Sequence, residues 1–313
     1  MILITGGLGY LGSRIAEYLL KSGYKIKLAT SRTDPKIPIE LSNCEIVTID
    51  LLDIESLKKS CENVSTIIHL AALNTQACAK DPEQALLING LGTLKLLKAA
   101  SKIGVSKFIY FSTAHVYGAP LEGNISENSL TNPLHPYSIT HRLAEDYLNE
   151  YSQSGKMSGV TFRLSNAFGA PILKDSDCWM LVANDLTKQV VTDNVMQIRS
   201  NIRIQRDFVP ITDVCKAVEF ILKSSLLKNY DVFNVGSGYT MTLEDMAVLI
   251  ADRSDKVLGI KPEIKFSGKG CLLEKYRKLH YSTKKLLNLG CVFENNINHE
   301  IDNLLLSCIR WYK

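Results

Sequence analysis

The sequence predicts an α/β protein: a doubly wound parallel sheet, followed by a smaller C-terminal α/β domain that would bind substrate. Three observations carry that expectation. Short apolar, β-rich runs alternate with stretches of helical spacing through the first half, the pattern of strands joined by crossover helices. The opening run ends in a glycine-rich turn that leads straight into a helical pattern. The 313 residues, 46% hydrophobic and 22% charged, suit one large globular domain or two modest ones that need neither disulfides nor metal.

The elements follow in order. Residues 1–4 read as a short apolar strand, and residues 11–22 as a helix with Ile15, Tyr18 and Leu19 on one face. Further strands are expected at 26–29, 45–49, 66–70, 108–111 and 160–164. Helices are expected at 54–61, 89–103 and 137–152, the last with Leu143, Tyr147 and Tyr151 aligned. The second half is less regular. It offers helices at 213–222, 243–253 and 300–311, a strand at 232–235, and a turn-rich, charged stretch at 268–278. No repeat, low-complexity tract or Pro-rich linker divides the chain, so the two domains, 1–165 and 166–313, are expected to interleave.

Composition excludes several functions. The net charge is only +4 and no block of like charge stands out, which argues against a nucleic-acid partner. No apolar run approaches ~20 residues, so no membrane span is expected. The opening Met1-Ile2-Leu3-Ile4-Thr5 has no basic region and no small-residue cleavage site. None of the eight cysteines forms a C-x-x-C pair, and no H-E-x-x-H occurs among the histidines. Reduced thiols, a cytoplasmic location and no metal are the resulting expectations.

Thr5-Gly6-Gly7-Leu8-Gly9-Tyr10-Leu11-Gly12 directly follows the first strand and opens the first helix. In that setting the glycines have a mechanism. One makes a tight turn, one lets the backbone approach a pyrophosphate, and Gly12 lets helix and strand pack closely. The helix N-terminus then offers free N–H groups and a partial positive charge to phosphates. A Rossmann-type site for a nicotinamide dinucleotide follows. The second strand ends Ala29-Thr30-Ser31-Arg32 without the carboxylate that would bond a ribose 2′-hydroxyl. Ser31 and Arg32 could pair with a 2′-phosphate or lie idle on the surface, so NAD and NADP both remain open.

Further motifs resemble those of extended short-chain dehydrogenase/reductases, in the nucleotide-sugar epimerase/dehydratase branch, and cover nearly the whole chain. Asp50-Leu51 resembles the pair at the adenine, and His69-Leu70-Ala71-Ala72 the stretch lining the cofactor. Asn89, Gly92 and Thr93 match an N-x-x-G-T helix. Ser112-Thr113-Ala114-His115-Val116-Tyr117-Gly118 is similar to the loop bearing the catalytic hydroxyl, here Thr113. The segment Pro133 to His141 is similar to the one holding the catalytic tyrosine, here Tyr137. Arg163-Leu164-Ser165-Asn166 resembles the strand whose asparagine touches the sugar nucleotide, and Arg206-Asp207-Phe208-Val209 the motif whose arginine meets the diphosphate. The resemblance implies a homodimer paired through helices at 92–101 and 137–152.

Two departures shape the expected chemistry. Relatives place lysine four residues after the tyrosine; this chain has His141. Histidine can donate one hydrogen bond to the nicotinamide ribose but is mostly neutral above a pKa of ~6.5. Tyr137, with an ordinary pKa of ~10, would then lean on the positive nicotinamide ring to act as the base, while Thr113 orients the reacting oxygen. Dehydratases resemble T-D-E-V-Y-G in the loop, where Ala114 and His115 stand here, so 4,6-dehydration is disfavoured. His115 faces substrate either as an acid or from behind the reacting groups. The expected function is oxidation at C4 of a nucleotide-activated sugar, as a 4-epimerase or a 4-dehydrogenase. A looser resemblance points to a GDP-mannoheptose 4-dehydrogenase in bacterial surface-polysaccharide synthesis. The alternatives are a non-catalytic dinucleotide-binding protein, motivated by His141, and an NADPH-dependent 4-keto-sugar reductase, motivated by Arg32.

Overall fold

A computed structural model describes residues 1–199, 203–225, 229–267 and 278–313. The turn-rich stretch expected at 268–278 lies outside these, apart from Lys278. The first half runs β1 (Ile2–Thr5), α1 (Tyr10–Lys21), β2 (Ile26–Thr30), β3 (Glu45–Thr48), α2 (Ile54–Ser60), β4 (Thr66–His69), α3 (Thr75–Lys80), α4 (Pro82–Ala85), α5 (Thr93–Ile103), β5 (Lys107–Thr113), β6 (Gly123–Ile125), α6 (Pro136–Gln153) and β7 (Ser158–Leu164). The second half runs β8 (Asn166–Phe168), α7 (Val182–Asp193), β9 (Val195–Ile198), β10 (Gln205–Pro210), α8 (Ile211–Lys223), β11 (Tyr230–Val235), β12 (Thr240–Thr242), α9 (Leu243–Leu258), β13 (Glu263–Phe266), β14 (Leu279–Tyr281), α10 (Lys284–Asn288) and α11 (Ile297–Tyr312).

Seven strands form one parallel sheet in the order β11-β7-β5-β4-β1-β2-β3. The chain winds outward from β1 to β3, then restarts beside β1 at β4 and winds the other way. The loops after β1 and β4 therefore diverge, and their crevice is where doubly wound sheets bind ligands. Helices cover both faces. Ile15 and Leu19 of α1 pack with Val214, Val218 and Ile221 of α8 on one side. Leu57 of α2, Leu96 of α5, and Ala144 and Leu148 of α6 pack on the other. Both faces being buried explains why β1, β2 and β4 read as continuous rather than alternating runs.

The second half builds its own apolar cluster, with Leu186 and Val190 of α7, Met246 and Ile250 of α9, and Ile301 and Leu305 of α11 around Phe208 of β10. It also sends β11 back to the main sheet, where Phe233 pairs in register with Phe162 of β7. The helix expected at 89–103 begins later as α-helix. Leu86–Gly92 is a π-helical turn, and the wider turn brings Asn89 to the Leu73 loop. Helix α7 has no counterpart among the sequence expectations, because its threonines and valines mask the helical period; packing against α9 and α11 decides it.

The glycine turn is built as the motif implies. Gly6 takes φ +65°, and Gly9 N–H donates to Gly6 O at 2.8 Å. A Cβ on Gly12 would lie 2.3 Å from Gly6 O. Gly12→Val will thus force the turn open and abolish dinucleotide binding, measurable as loss of NAD-dependent fluorescence quenching while circular dichroism still shows a folded chain.

Candidate active site

A cleft of about 670 Å³ opens over the C-terminal ends of β1, β2 and β4, lined by Gly6, Gly9, Ser31, Arg32, Asp50, Leu51, Ala71 and Ala72. A second hollow of about 310 Å³ continues it past Gly12 and Leu70 to Thr113, Tyr137 and His141. Gly6, Gly9 and Ala72 belong to both, so the groove is continuous. Most of the expected cofactor residues, separated by up to 135 positions from Gly6 to His141, therefore share one groove.

Each wall has a local cause. Gly9 caps α1 with no side-chain bond and no acidic residue follows in the first turn, so the leading N–H groups of α1 face the groove unneutralised. The 70–72 loop is held from below by Thr5 Oγ1, which accepts from Leu70 N and Ala71 N at 3.2 and 3.3 Å. Thr5 in turn bonds His69 Nδ1 at 2.6 Å, and His69 Nε2 bonds Thr93 Oγ1 at 2.9 Å. His69, buried and with His141 nearby, is driven down to a pKa of about 3 and is a neutral strut.

Two expected cofactor residues sit differently. Asn89 is buried behind the groove. Its Oδ1 accepts from Leu73 N at 2.8 Å and its amide reaches Thr140 Oγ1 at 3.2 Å, so it shapes the loop rather than the ligand. The Tyr10 ring packs with Cys178 and Ile211, and its hydroxyl donates to Gly169 O at 3.0 Å, leaving only its backbone for a phosphate.

At the far end Tyr137 and His141 lie one turn apart on α6, with ring centroids 4.4 Å apart. Burial pushes the Tyr137 phenol up to about 12, with Cys78 adding to it and a hydrogen bond from Thr113 opposing it. Burial, then His115, drives His141 down to about 4, so it is neutral at working pH and supplies no charge. Its Nδ1 is 2.6 Å from Tyr110 Oη. Its Nε2 is buried with no hydrogen-bond partner among the described residues. An orphaned donor at the catalytic end of a glycine cradle fits a ribose hydroxyl, so the residues present suit a nicotinamide dinucleotide.

Of the expected substrate residues Thr113 lines this end, while His115, Asn166 and Arg206 are not among its described lining. His115 stands two residues after Thr113 and is not among the described residues lining the groove; burial, Arg206 and His135 all lower its pKa. Asn166 donates to Asp207 O at 3.0 Å. Asp207 was not singled out from sequence, yet it clamps the region: its carboxylate accepts from Ser165 Oγ at 2.6 Å and from Ser237 N and Gly238 N at 2.8 Å each. Arg206, its neighbour on β10, pairs through the backbone with Met241 of β12. Sequence reasoning also passed over Tyr110 and the Glu145–Arg163 pair; only the paired β5 and α6 patterns hinted at them.

Comparison with known proteins decides the family. The NAD dependent epimerase/dehydratase family profile matches residues 2–236. This chain belongs to that family. As a member of the NAD-dependent epimerase/dehydratase family it is 26% identical over 282 residues to a UDP-glucose 4-epimerase of Rhizobium leguminosarum bv. trifolii, covering 82% of each chain. It is 28% identical over 275 residues to a dTDP-D-glucose 4,6-dehydratase of Dictyostelium discoideum, covering 81% of this chain and 62% of that one. Its fold matches that of a Thermus thermophilus UDP-glucose 4-epimerase, solved with NAD, at a TM-score of 0.82 and 24% identity over 98% of both chains. The family member is thus an NAD-dependent α/β enzyme with a Rossmann sheet. No helix among the described residues is long and apolar enough to cross a membrane.

The neutral His141 makes a prediction. At pH 7 a phenol of pKa about 12 is ionised in roughly one molecule in 10⁵. His141→Lys would place a cation beside Tyr137 and lower that pKa by about 1–3 units. A lowered phenol pKa means phenolate at lower pH. The kcat/KM of the unmodified enzyme should climb with pH above neutrality without levelling off by pH 10, and the rising limb of H141K should lie at least one pH unit lower, as profiles from pH 6 to 10 will show.

Proposed function

We propose that this enzyme is an NAD-dependent nucleotide-sugar 4-epimerase. The observation that carries the reading is the meeting of Thr113, Tyr137 and a neutral His141 at the end of the glycine cradle, with Ala114 and His115 where dehydration needs carboxylates. Bound NAD supplies a hydride acceptor that can return the hydride to the opposite face of the ketone, and a positive ring charge that the side chains lack. Tyr137 takes the proton of the C4 hydroxyl and later gives it back. Thr113 orients that oxygen. Arg206 and Asn166 hold the diphosphate side of the sugar nucleotide, and burial of the Arg206 guanidinium concentrates its charge on that ligand.

The likeness to a UDP-glucose 4-epimerase over 82% of both chains supports an epimerase rather than a dehydrogenase. The enzyme works as a homodimer through the helices flanking the site, where Leu86, Leu91 and Ile139 are 51%, 38% and 47% exposed; sedimentation at one protomer mass would exclude this.

Incubation with UDP-glucose and other nucleotide sugars tests the reading. A C4 epimer without net absorbance at 340 nm supports it. NADH in proportion to a keto sugar would make the enzyme a 4-dehydrogenase, and a product lighter by one water would overturn both.

A further inference from the structure

We propose that Tyr110 is a positioning residue that fixes the tautomer of His141, so that His141 Nε2–H is aimed at a ribose hydroxyl of the bound dinucleotide. The inference deepens the functional reading above and rests on it for the identity of the ligand, though not for the tautomer itself.

Strand β5 and helix α6 face each other through two rungs. Tyr110 Oη meets His141 Nδ1 at 2.6 Å, and one turn later Ser112 Oγ donates to Glu145 Oε1. The lower rung, between two groups 2% and 3% exposed, decides where protons sit. Tyr110 Oη has no other hydrogen-bond partner among the described residues. Were Nδ1 to carry the hydrogen, the phenol's own proton would be buried without an acceptor, at the cost of an unmade bond. Burial and the neighbouring Glu145 both raise the Tyr110 pKa, so the phenol keeps its proton and donates it. Nδ1 is therefore the acceptor, and the hydrogen lies on Nε2, across the ring.

Nε2 finds no protein acceptor among the described residues, yet His141 lines the hollow that holds Tyr137, Thr113 and Gly9. The other buried histidine shows the contrast. His69 has both ring nitrogens engaged, with Thr5 and Thr93, and offers nothing outward. His69 also lies against Tyr110, ring centroids 5.7 Å apart, which steadies the phenol without competing for its proton. A lysine at position 141 would need no such partner, because an ammonium donates in every rotamer. Tyr110 is thus the companion that a histidine requires there.

Nitrogen-15 spectra of histidine-labelled protein, with His141 assigned by its absence in H141K, test the tautomer directly. A pyridine-type Nδ1 and a pyrrole-type Nε2 are expected in the unmodified protein, and a mixed or reversed pattern in Tyr110→Phe. Titration with NAD reads the consequence. Y110F should weaken binding about tenfold, the size of one neutral hydrogen bond, but less than threefold in the H141K background. A pyrrole-type Nδ1 in the unmodified protein overturns the inference. So does an equal loss in both backgrounds, which would mean that Tyr110 acts by packing alone. If the unmodified protein takes up no NAD, the functional reading falls, and the spectra still judge the tautomer.

Discussion

Tyr137→Phe will leave NAD bound and lower kcat by about 10³-fold, within the 10²–10⁴ range that a positioned proton-transfer group contributes. Tyr137 lies in the hollow beside Thr113; of the other polar groups lining it, His141 is engaged with Tyr110, Thr113 is an alcohol, and the Asp177 carboxylate accepts from Asn74 Nδ2. The phenyl ring keeps the edge contact with His141, so the fold and the cradle should survive. NAD affinity unchanged within about threefold, with turnover lost, is the expected pair of results from a titration and a product assay. Turnover within tenfold of the unmodified enzyme would remove Tyr137 from the chemistry.

Glu145→Ala will have the largest effect on stability. The Glu145 and Arg163 side chains are 1% and 5% exposed, with Arg163 Nη2 2.7 Å from Glu145 Oε2 and Nε bonded to the same carboxylate. Burial works against the Arg163 charge, but its bonds to Glu145 outweigh that and hold its pKa above the ordinary value. Removing the carboxylate strands a buried guanidinium, with only Tyr117 Oη at 3.0 Å and the Tyr117 ring left to it among the described residues. Breaking such a pair costs about 3–5 kcal/mol, whereas replacing both partners by apolar groups is often neutral. Thermal unfolding should therefore show Glu145→Ala lowered by roughly 6 °C or more, and Glu145→Leu with Arg163→Met recovering most of it. Equal losses in the single and the double variant would mean that the volume, not the stranded charge, carries the cost. Because Ser112 also bonds Glu145 and adjoins Thr113, the single variant should lose activity beyond its instability.

The rival reading of a non-catalytic binder turns on His141. A histidine there removes the fixed cation that relatives use, yet His141 has a partner in Tyr110 and a buried Nε2 with no hydrogen-bond partner among the described residues, which the proposed ribose contact would satisfy. The departure therefore bears on the pH dependence of the chemistry more than on cofactor capture.

Much of this was legible in the chain itself. The strand–glycine–helix unit at residues 2–21 is a local pattern whose meaning follows from backbone geometry, and the four-residue spacing of Tyr137 and His141 places them on one helix face. Parallel strands announce themselves by being apolar throughout, because both faces are covered. Helix α7 and the π-helical start at Leu86 were not legible, because β-branched and glycine residues blur the helical period.

By itself, then, the sequence determined the α/β class and the glycine turn between the first strand and helix, both of which rest on local periodicity and spacing. Thr113, Tyr137 and His141 stand out in it only through the resemblance of their motifs to those of the family. Only the tertiary structure decided that Tyr110 bonds His141, that Glu145 pairs with Arg163, that Asp207 ties Ser165 to the turn at Ser237 and Gly238, and that Asn89 bonds the Leu73 loop. Those contacts join separate strands, helices and loops. A buried polar group takes whichever partner packing brings to it, and nothing in its local sequence names that partner.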